Sequence, residues 1–361
     1  MKKKLILIPV LLWAVLATFS WFGPTADFSD SERRPLAQMP EVRLETILNG
    51  SFMEKFEDFS LDQFPLRDSF RKIKSLFHYN VLGQKDNNGI YIVDGYAASQ
   101  EYPLKDESID HALNRFNRVY EKYLSGSKVY VSVVPDKGYY LAEDAGQLAM
   151  DYEALFDRME AEMPWATYVD ITGALTGDSY YRTDTHWRQE YLLDAAKVLC
   201  QAMDVTGPDG KDYTQKTLDK PFYGVYYGQA ALPMEPEQLN YLESDLLSDC
   251  RVYDFESGKT GPVYDLSKAE GKDLYEIFLS GPRSLLNVEN PNAATDRELI
   301  IFRDSFGSAM APLLLQDYAK VTLVDIRYIQ LDMLDRFLDF HGQDVLFLYS
   351  TLVLNNSQTI K

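Results

Sequence analysis

The sequence predicts an α/β fold, a three-layer αβα sandwich in which a mainly parallel sheet is covered by helices on both faces. Two observations predict it. Short apolar runs alternate with amphipathic helical stretches along most of the chain, and the last hundred residues show this alternation most regularly. The strands predicted there are ELIIF, KVTLVDIR and DVLFLYSTLVL, and the helices are MAPLLLQDY and QLDMLDRFLDFHG. Ligands of such sheets bind beyond the carboxyl ends of the strands, so a functional residue should directly follow a strand.

The middle of the chain contains the same kinds of element. The turn DNNG and the stretch IYIVDGYAA predict a hairpin at the start of a domain that covers residues 87–361. Helical stretches at about 107–125 and 150–162 precede the predicted strands KVYVSVV and TYVDIT, and QEYLLDAAKVLCQAM predicts a helix with one apolar face. The stretch that follows, rich in Tyr, Gly and Pro, predicts an irregular insertion at about 205–270.

The N-terminus predicts a membrane segment. After MKKK, the apolar run from Leu5 to Phe22 carries no charge and is nearly long enough to span a bilayer. We therefore expect a signal anchor in residues 1–25, with a cleaved signal peptide as the alternative because Val15 and Ala17 offer small residues for cleavage. Both predict an extracytoplasmic protein, which is anchored to the bacterial plasma membrane or secreted. Residues 26–86 are expected to form a membrane-proximal stalk and helical arm.

Composition excludes several classes of protein. With 46% hydrophobic and 25% charged residues the chain is not disordered, and its net charge of −19 disfavours nucleic acid as a partner. Neutral sugars or small molecules fit this charge better. The two cysteines, Cys200 and Cys250, are either a disulfide or two buried free thiols. The chain contains no Cys or His spacing typical of a metal site, so we expect no metal, and nothing in the sequence implies a dissociable cofactor.

Ser305 is the first candidate for chemistry, in the stretch ELIIFRDSFGSAMAPLL. It directly follows a predicted strand and precedes a helix, where a turn exposes a serine hydroxyl and the small residues after it leave room for a substrate. The alternative is that Ser305 or Asp304 caps the helix, which is the usual role of such residues.

His186 is the second candidate, in the stretch RTDTHWRQE. If residues 184–186 are extended, Asp184 and His186 lie on one side of the chain, and the carboxylate can orient the imidazole so that it takes a proton from Ser305. That hypothesis requires the His186 and Ser305 side chains to lie within hydrogen-bond reach. The alternative is a core histidine beside Trp187. A metal ligand is disfavoured because the other histidines are not at ligand spacing: His78, His111 and His341.

Eight phrases, in order and spanning about residues 31–330, resemble the bacterial DHHW family, which groups with the SGNH-hydrolase-like domains of alginate O-acetyltransferases. They are SERRPLAQMPE, DQFPLRDSFRKIKS, NNGIYIVDGY, VVPDKGYYL, YYRTDTHW, PFYGVYYG, YEIFLSGP and LIIFRDSFGSAMAPLLLQDYAKVTLVDIRY. The resemblance implies an SGNH-like, extracytoplasmic domain. It also implies a triad of Ser305 as nucleophile, His186 as base and Asp184 as its orienting residue.

The sequence departs from the family pattern in three ways. Thr185 replaces the second residue of DHHW, Arg303 replaces the glycine of GDS, and the GxND block that supplies oxyanion donors is missing. Candidates for the missing donor, or for contacts with the substrate, are the backbone N–H groups of Ser305 and Phe306 and the side chains of Lys137, Arg182, Arg303, Asn355 and Asn356. For each side chain, a solvated surface position is the alternative.

Together these features predict a serine-dependent enzyme that adds or removes O-acetyl groups on a cell-surface or exported polysaccharide, as an O-acetyltransferase or an acetylesterase. As a transferase it would need a membrane-bound acyltransferase partner to supply the acyl group, which the resemblance alone implies. The alternative is a non-catalytic surface protein that binds glycan or forms a scaffold. The aromatic residues of FYGVYYG either contact sugar rings or pack the insertion.

Overall fold

The computed structural model describes residues 2–29 and 31–361, with side chains from residue 7 onward. Two units are distinguished: one contains the residues up to Ile92 together with Val225–Glu235, and the other contains Val93–Gly224 and Pro236–Lys361. The predicted boundaries at residues 25 and 86, and the predicted insertion, stay predictions. Within the described residues, no helix has both the length and the apolar character needed to cross a membrane.

The α-helices, in chain order, are α1 (Lys2–Phe22), α2 (Leu44–Leu48), α3 (Ser51–Asp62), α4 (Arg67–Leu76), α5 (Asp106–Val119), α6 (Lys137–Leu141), α7 (Tyr152–Ala161), α8 (Leu193–Ala202), α9 (Val225–Ala230), α10 (Asp245–Asp249), α11 (Gly307–Met310) and α12 (Thr351–Leu354). The strands are β1 (Phe28–Ser29), β2 (Arg34–Pro35), β3 (Asp86–Asn87), β4 (Ile90–Val93), β5 (Tyr96–Ser99), β6 (Lys128–Val134), β7 (Thr167–Tyr168), β8 (Thr214–Phe222), β9 (Glu237–Glu243), β10 (Arg251–Asp254), β11 (Lys259–Gly261), β12 (Leu285–Glu289), β13 (Arg297–Arg303), β14 (Tyr318–Val324) and β15 (Asp344–Ser350).

In the first unit, hydrogen bonds hold α9 against α4. The Arg71 guanidinium donates to the Gly228 carbonyl at 2.9 Å, and the Ser75 hydroxyl donates to the Ala230 carbonyl at 2.8 Å. The Asn87 amide donates to the same Ala230 carbonyl at 2.7 Å. These bonds satisfy carbonyl groups in the last turn of α9 that have no partner within so short a helix.

The second unit contains the large sheet, whose strand order is β11-β10-β12-β14-β13-β15-β6-β7. From β14 to β7 all neighbours pair in parallel, whereas β12, β10 and β11 extend the sheet with antiparallel pairs. The prediction of an α/β fold with a mainly parallel sheet is therefore confirmed. The antiparallel edge is an addition that the sequence did not predict.

The sheet is buried on both faces. Along β13, Leu299 and Ile301 pack into one hydrophobic cluster with α8, and Ile300 and Phe302 pack into a second cluster with α5 and α7. Successive strand residues point to opposite faces, so a strand buried on both faces consists of a continuous apolar run. This is the reason that ELIIF and KVYVSVV predict their strands so well.

Some predicted elements are wrong. The stretch QLDMLDRFLDFHG contains a short 3₁₀ segment, Leu331–Arg336, and no α-helix. The strand predicted for DVLFLYSTLVL ends at Ser350, whose hydroxyl accepts a hydrogen bond from the Val353 N–H at 3.3 Å and starts α12. The helix predicted for MAPLLLQDY is short: α11 continues only as a 3₁₀ segment, Ala311–Leu314. In TYVDIT, only the first two residues form a strand.

Candidate active site

Ser305 lies in a tight turn between the end of β13 and the start of α11. Asp304 fixes this turn: one carboxylate oxygen accepts the Phe306 N–H at 3.0 Å, and the other accepts the N–H and the hydroxyl of Ser350 at 2.8 and 2.6 Å. The carboxyl ends of β13 and β15 are thereby joined. No side chain caps α11 by a hydrogen bond. The Ser305 side chain is therefore not a helix cap.

The turn is so tight that it requires glycine at position 307. A β-carbon at this position would lie 2.7 Å from the Arg303 Cβ and 3.0 Å from its Cγ, closer than such atoms can approach. The Cβ atom of Arg303 is fixed by the strand, so it cannot move aside. A glycine two positions after Ser305 therefore leaves room for the Arg303 side chain.

His186 lies in a loop that is closed by an antiparallel bridge between Tyr180 and Trp187. The expected extended conformation of residues 184–186 is wrong, because the backbone bends at these positions. The Asp184 Oδ1 atom accepts hydrogen bonds from both the backbone N–H of His186, at 3.0 Å, and its ring Nδ1, at 2.6 Å. An aspartate that bonds to the N–H two residues later forms a local turn, and here that turn also brings the carboxylate to the ring.

The two loops meet at His186. Its Nε2 atom lies 2.8 Å from the Ser305 Oγ, within the hydrogen-bond reach that the triad hypothesis requires. Since Nδ1 is bonded to Asp184, Nε2 is the nitrogen left to accept the hydroxyl proton of Ser305. Asp184 is fully buried, His186 is 9% exposed and Ser305 is partly buried. The structure thus brings together the three side chains of the predicted triad: a serine hydroxyl, an imidazole and a carboxylate.

Contacts on either side hold the loops in register. The buried Trp187 donates from its indole nitrogen to the Phe306 carbonyl at 3.1 Å and packs edge-on against the Phe306 ring. The Gln189 side chain donates to the Ala309 carbonyl at 2.9 Å. On its other face, the His186 ring stacks on Tyr275 with 4.0 Å between the ring centroids. The loops that carry His186 and Ser305 are therefore bonded to each other.

The segment PFYG supports the His186 loop from behind. The Gly224 N–H donates to the Thr183 hydroxyl at 2.9 Å, and a β-carbon on Gly224 would overlap the backbone of Asp184. Phe222 is buried, with its ring edge-on to Tyr181. In FYGVYYG, Phe222 and Gly224 thus pack against the loop that carries His186. A glycine between aromatic residues was the feature of the sequence that could have indicated this packing.

A pocket of about 220 Å³ opens beside the Ser305 hydroxyl. Ser305 and His186 form one wall, together with ten further residues: Asp273, Tyr275, Glu276, Phe278, Gly281, Pro282, Arg303, Ser308, Arg327 and Tyr328. Sequence reasoning missed Tyr275 and Tyr328 as site residues. Tyr275 lies in the phrase YEIFLSGP, so the family resemblance contained a signal for it.

The residues predicted as oxyanion donors or substrate contacts differ in their partners and in whether they line the pocket. The Phe306 N–H donates to Asp304. The buried Lys137 ammonium donates to the carbonyls of Tyr181 and Arg182 at 2.8 and 3.4 Å. Burial lowers the pKa of Lys137 to about 7, although the nearby Asp184 carboxylate opposes the shift. Lys137 therefore connects the start of α6 to the His186 loop and does not line the pocket.

The remaining candidates lie outside the pocket, except one. The Asn355 side chain accepts the Lys105 N–H at 2.8 Å and donates to the Pro103 carbonyl at 3.1 Å. The Asn356 amide oxygen accepts from the Lys105 ammonium at 2.5 Å. The Arg182 guanidinium lies over the Tyr96 ring, 5.4 Å from its centroid. Arg303 alone among the predicted donor side chains lines the pocket.

Neither cysteine lines the pocket beside Ser305. Cys200 and Cys250 are both buried free thiols, which is one of the two alternatives that the sequence left open. Among residues 2–29 and 31–361, no group of three or more His, Cys, Asp or Glu residues is arranged to hold a metal ion. The expectation that the chain needs no metal or cofactor stays a prediction.

Comparison with known proteins gives matches among solved structures only. No family model and no curated protein matches the sequence. A DHHW family protein from Eubacterium siraeum DSM 15702 is 24% identical with a TM-score of 0.61, over 76% of this chain and 95% of that chain. PatB1 from Bacillus cereus, in a structure with a sulfonyl adduct, is 17% identical with a TM-score of 0.57, over 73% and 95%. The resemblance to the DHHW family is thus confirmed at the level of the fold, which this chain shares with both proteins.

Proposed function

We propose that this chain is an extracytoplasmic, serine-dependent acyl-transfer enzyme that acts on O-acetyl groups of a cell-surface or exported polysaccharide. The observation that carries the proposal is the hydrogen-bonded series from the Ser305 hydroxyl to the His186 ring and on to Asp184, with distances of 2.8 and 2.6 Å. A serine needs such a base to become a nucleophile near neutral pH.

The reaction has two steps. His186 Nε2 accepts the Ser305 proton while Oγ attacks the acetyl carbonyl carbon, whose C=O electron pair moves to the oxygen. When this intermediate collapses, the ester C–O bond breaks, His186 returns the proton to the leaving oxygen, and an acetyl-Ser305 remains. A sugar hydroxyl or water then reverses the sequence and takes the acetyl group. Asp184 stabilises the positive ring in each step.

Three further observations support parts of the proposal. The pocket beside Ser305, at about 220 Å³, suits a short acyl group. The fold is shared with a DHHW family protein and with PatB1, and the latter was captured with a sulfonyl adduct. Sulfonyl groups react with activated nucleophiles. The polysaccharide, the extracytoplasmic location, the membrane anchor and a membrane-bound acyltransferase partner rest on the sequence alone.

Active-site labelling tests the nucleophile. The full chain is treated with a fluorophosphonate probe, which reacts with activated serines. We expect stoichiometric labelling that Ser305→Ala abolishes and His186→Ala weakens. Ser248→Ala and His341→Ala are the matched controls, because both residues are exposed and lie outside the pocket. If the folded wild-type chain is not labelled, the proposal is wrong and a non-catalytic glycan-binding role is favoured.

A second measurement separates transfer from hydrolysis. With 4-nitrophenyl acetate, we expect a burst of nitrophenolate equal to the enzyme concentration and the mass of one acetyl group on Ser305. Acetylated and de-acetylated glycans are then offered in turn. Release of acetate from the former indicates an esterase, and movement of acetyl to the latter indicates a transferase. Loss of both in Ser305→Ala is the required control.

A further inference from the structure

Arg303 is a buried cation at the candidate active site. It is the last residue of β13 and lines the pocket with Ser305 and His186. Its side chain is only 1% exposed, yet among the described residues its Nε and Nη2 atoms have no hydrogen-bond partner. Nη1 alone is bonded, to the Asp304 carbonyl at 3.3 Å.

Such an arrangement is unfavourable in the empty protein. Buried N–H groups are nearly always bonded, and a charged one loses more solvation than a neutral one. Burial lowers the pKa of Arg303, which the carboxylates of Asp325 and Asp304 partly oppose. The unpaired donors therefore call for a partner that enters the pocket.

Arg303 differs in this respect from the other guanidinium group of the pocket. Arg327 donates from Nε and Nη2 to the Asp325 carboxylate, at 2.9 and 2.6 Å. Its donors are thus used within the protein. The turn is also built around Arg303, since Gly307 leaves space for the first carbons of its side chain. Placement of Arg303 beside Ser305 is therefore specified by the fold.

We propose that Arg303 is the residue that stabilises the oxyanion: its Nε and Nη2 groups donate to the acyl oxygen while the Ser305 Oγ–carbon bond forms. This inference rests on the proposed function. As the C=O electron pair moves to the oxygen, the negative charge meets a guanidinium that is itself buried from water, where such a donor acts most strongly. The GxND block that would supply oxyanion donors is missing from this sequence, and the Phe306 N–H, another candidate donor, is already bonded to Asp304. Arg303 would supply the donors in their place.

The test compares steady-state rates with 4-nitrophenyl acetate for the full chain and its variants. For Arg303→Ala we expect kcat to fall by about 10²- to 10³-fold, with KM changed by less than about threefold, because the contact strengthens in the transition state. Added guanidinium ion should restore part of kcat, which a merely structural role would not allow. Arg303→Lys, which keeps one charged donor, should lose about tenfold.

Arg297→Ala is the matched control, because Arg297 lies at the other end of the same strand and pairs with Asp344. Its kcat should equal that of the wild type. If folded Arg303→Ala keeps the wild-type kcat, or raises only KM, the oxyanion role is refuted while loss of activity in Ser305→Ala leaves the proposed function standing. If Arg303→Ala does not fold, an unchanged kcat in Arg303→Lys refutes the role instead. If the wild type forms no acetyl-Ser305, both proposals fail.

Discussion

Replacing Asp184 by Asn tests the proposed role of the carboxylate in the series Ser305–His186–Asp184, because the two side chains have nearly the same shape. The Asp184 Oδ1 atom accepts two hydrogen bonds from His186, one from the backbone at 3.0 Å and one from the ring at 2.6 Å. An asparagine oxygen can accept both bonds, so we expect the loop to keep its conformation. What the variant lacks is the negative charge that stabilises the ring when it carries the Ser305 proton.

The size of the effect follows from burial. Asp184 is fully buried, so water does not screen the pair or replace the lost charge. Removing one partner of a buried ion pair costs about 3–5 kcal/mol. Here the pair is charged only while the proton is on His186, so this cost falls on the transition state. At about 1.4 kcal/mol per factor of ten, kcat should decrease by about 10²- to 10⁴-fold.

The assay is the burst rate with 4-nitrophenyl acetate, measured beside the melting temperature. Asp170→Asn is the matched control, because Asp170 makes the same kind of local turn, with the Thr172 N–H at 2.8 Å, but is exposed and outside the pocket. We expect wild-type rates in the control and a melting temperature in Asp184→Asn close to that of the wild type. An Asp184→Asn rate within threefold of the wild type would refute the role of this carboxylate.

Three further predictions concern stability, each checked by denaturant unfolding. Gly307→Ala should lower the unfolding free energy by about 1–3 kcal/mol, because its β-carbon would lie 2.7 Å from the Arg303 Cβ. An unchanged midpoint of denaturant unfolding would contradict this packing argument. Gly224→Ala should lower the unfolding free energy by about 3 kcal/mol and remove most activity, because the new β-carbon overlaps the Asp184 backbone. Retained activity would show that the packing of Gly224 does not affect the His186 loop. Burial raises the pKa of Asp136 from 3.8 to about 6, so its stabilising contribution is complete below about pH 4 and is lost as the pH rises through 6. The difference in unfolding free energy between the wild type and Asp136→Asn should therefore fall by about 2 kcal/mol between pH 4 and 7, and a constant difference would exclude the shift.

The parts of the fold that the sequence predicted are those with strong local signals. β6 and β13 are interior strands of a sheet covered on both faces, so their runs are mostly apolar, and such a strand is distinct from an amphipathic helix. The signal fails where an apolar run changes structure within itself. At Ser350 the strand stops and α12 begins, although most residues on both sides are apolar. A hydroxyl that caps a helix decides the change, and periodicity does not detect it.

The candidate site could be located but not fully described. Ser305 follows from its place after a strand, and Asp184 and His186 follow from their spacing in a loop. Tyr275, which stacks on the His186 ring, and Gly224, which packs behind Asp184, come from distant parts of the chain. Only the tertiary fold brings these residues to the site, so no local pattern in the sequence predicts their contacts.

The conformation of the Asp184 loop was mispredicted for a reason that also explains the site. Asp184 bonds to the N–H of His186 and Asp304 bonds to the N–H of Phe306, both at 3.0 Å, so DTH and DSF form the same local turn. Each turn fixes the conformation of its own three residues through one Asp side chain, and one turn carries the imidazole while the other carries the hydroxyl. The tertiary fold then only has to bring the two turns together. The Trp187 indole does so directly, since it donates to the Phe306 carbonyl and packs against the Phe306 ring. Because both turns are local, short sequence phrases were enough to predict the candidate site even where the intervening structure was predicted poorly.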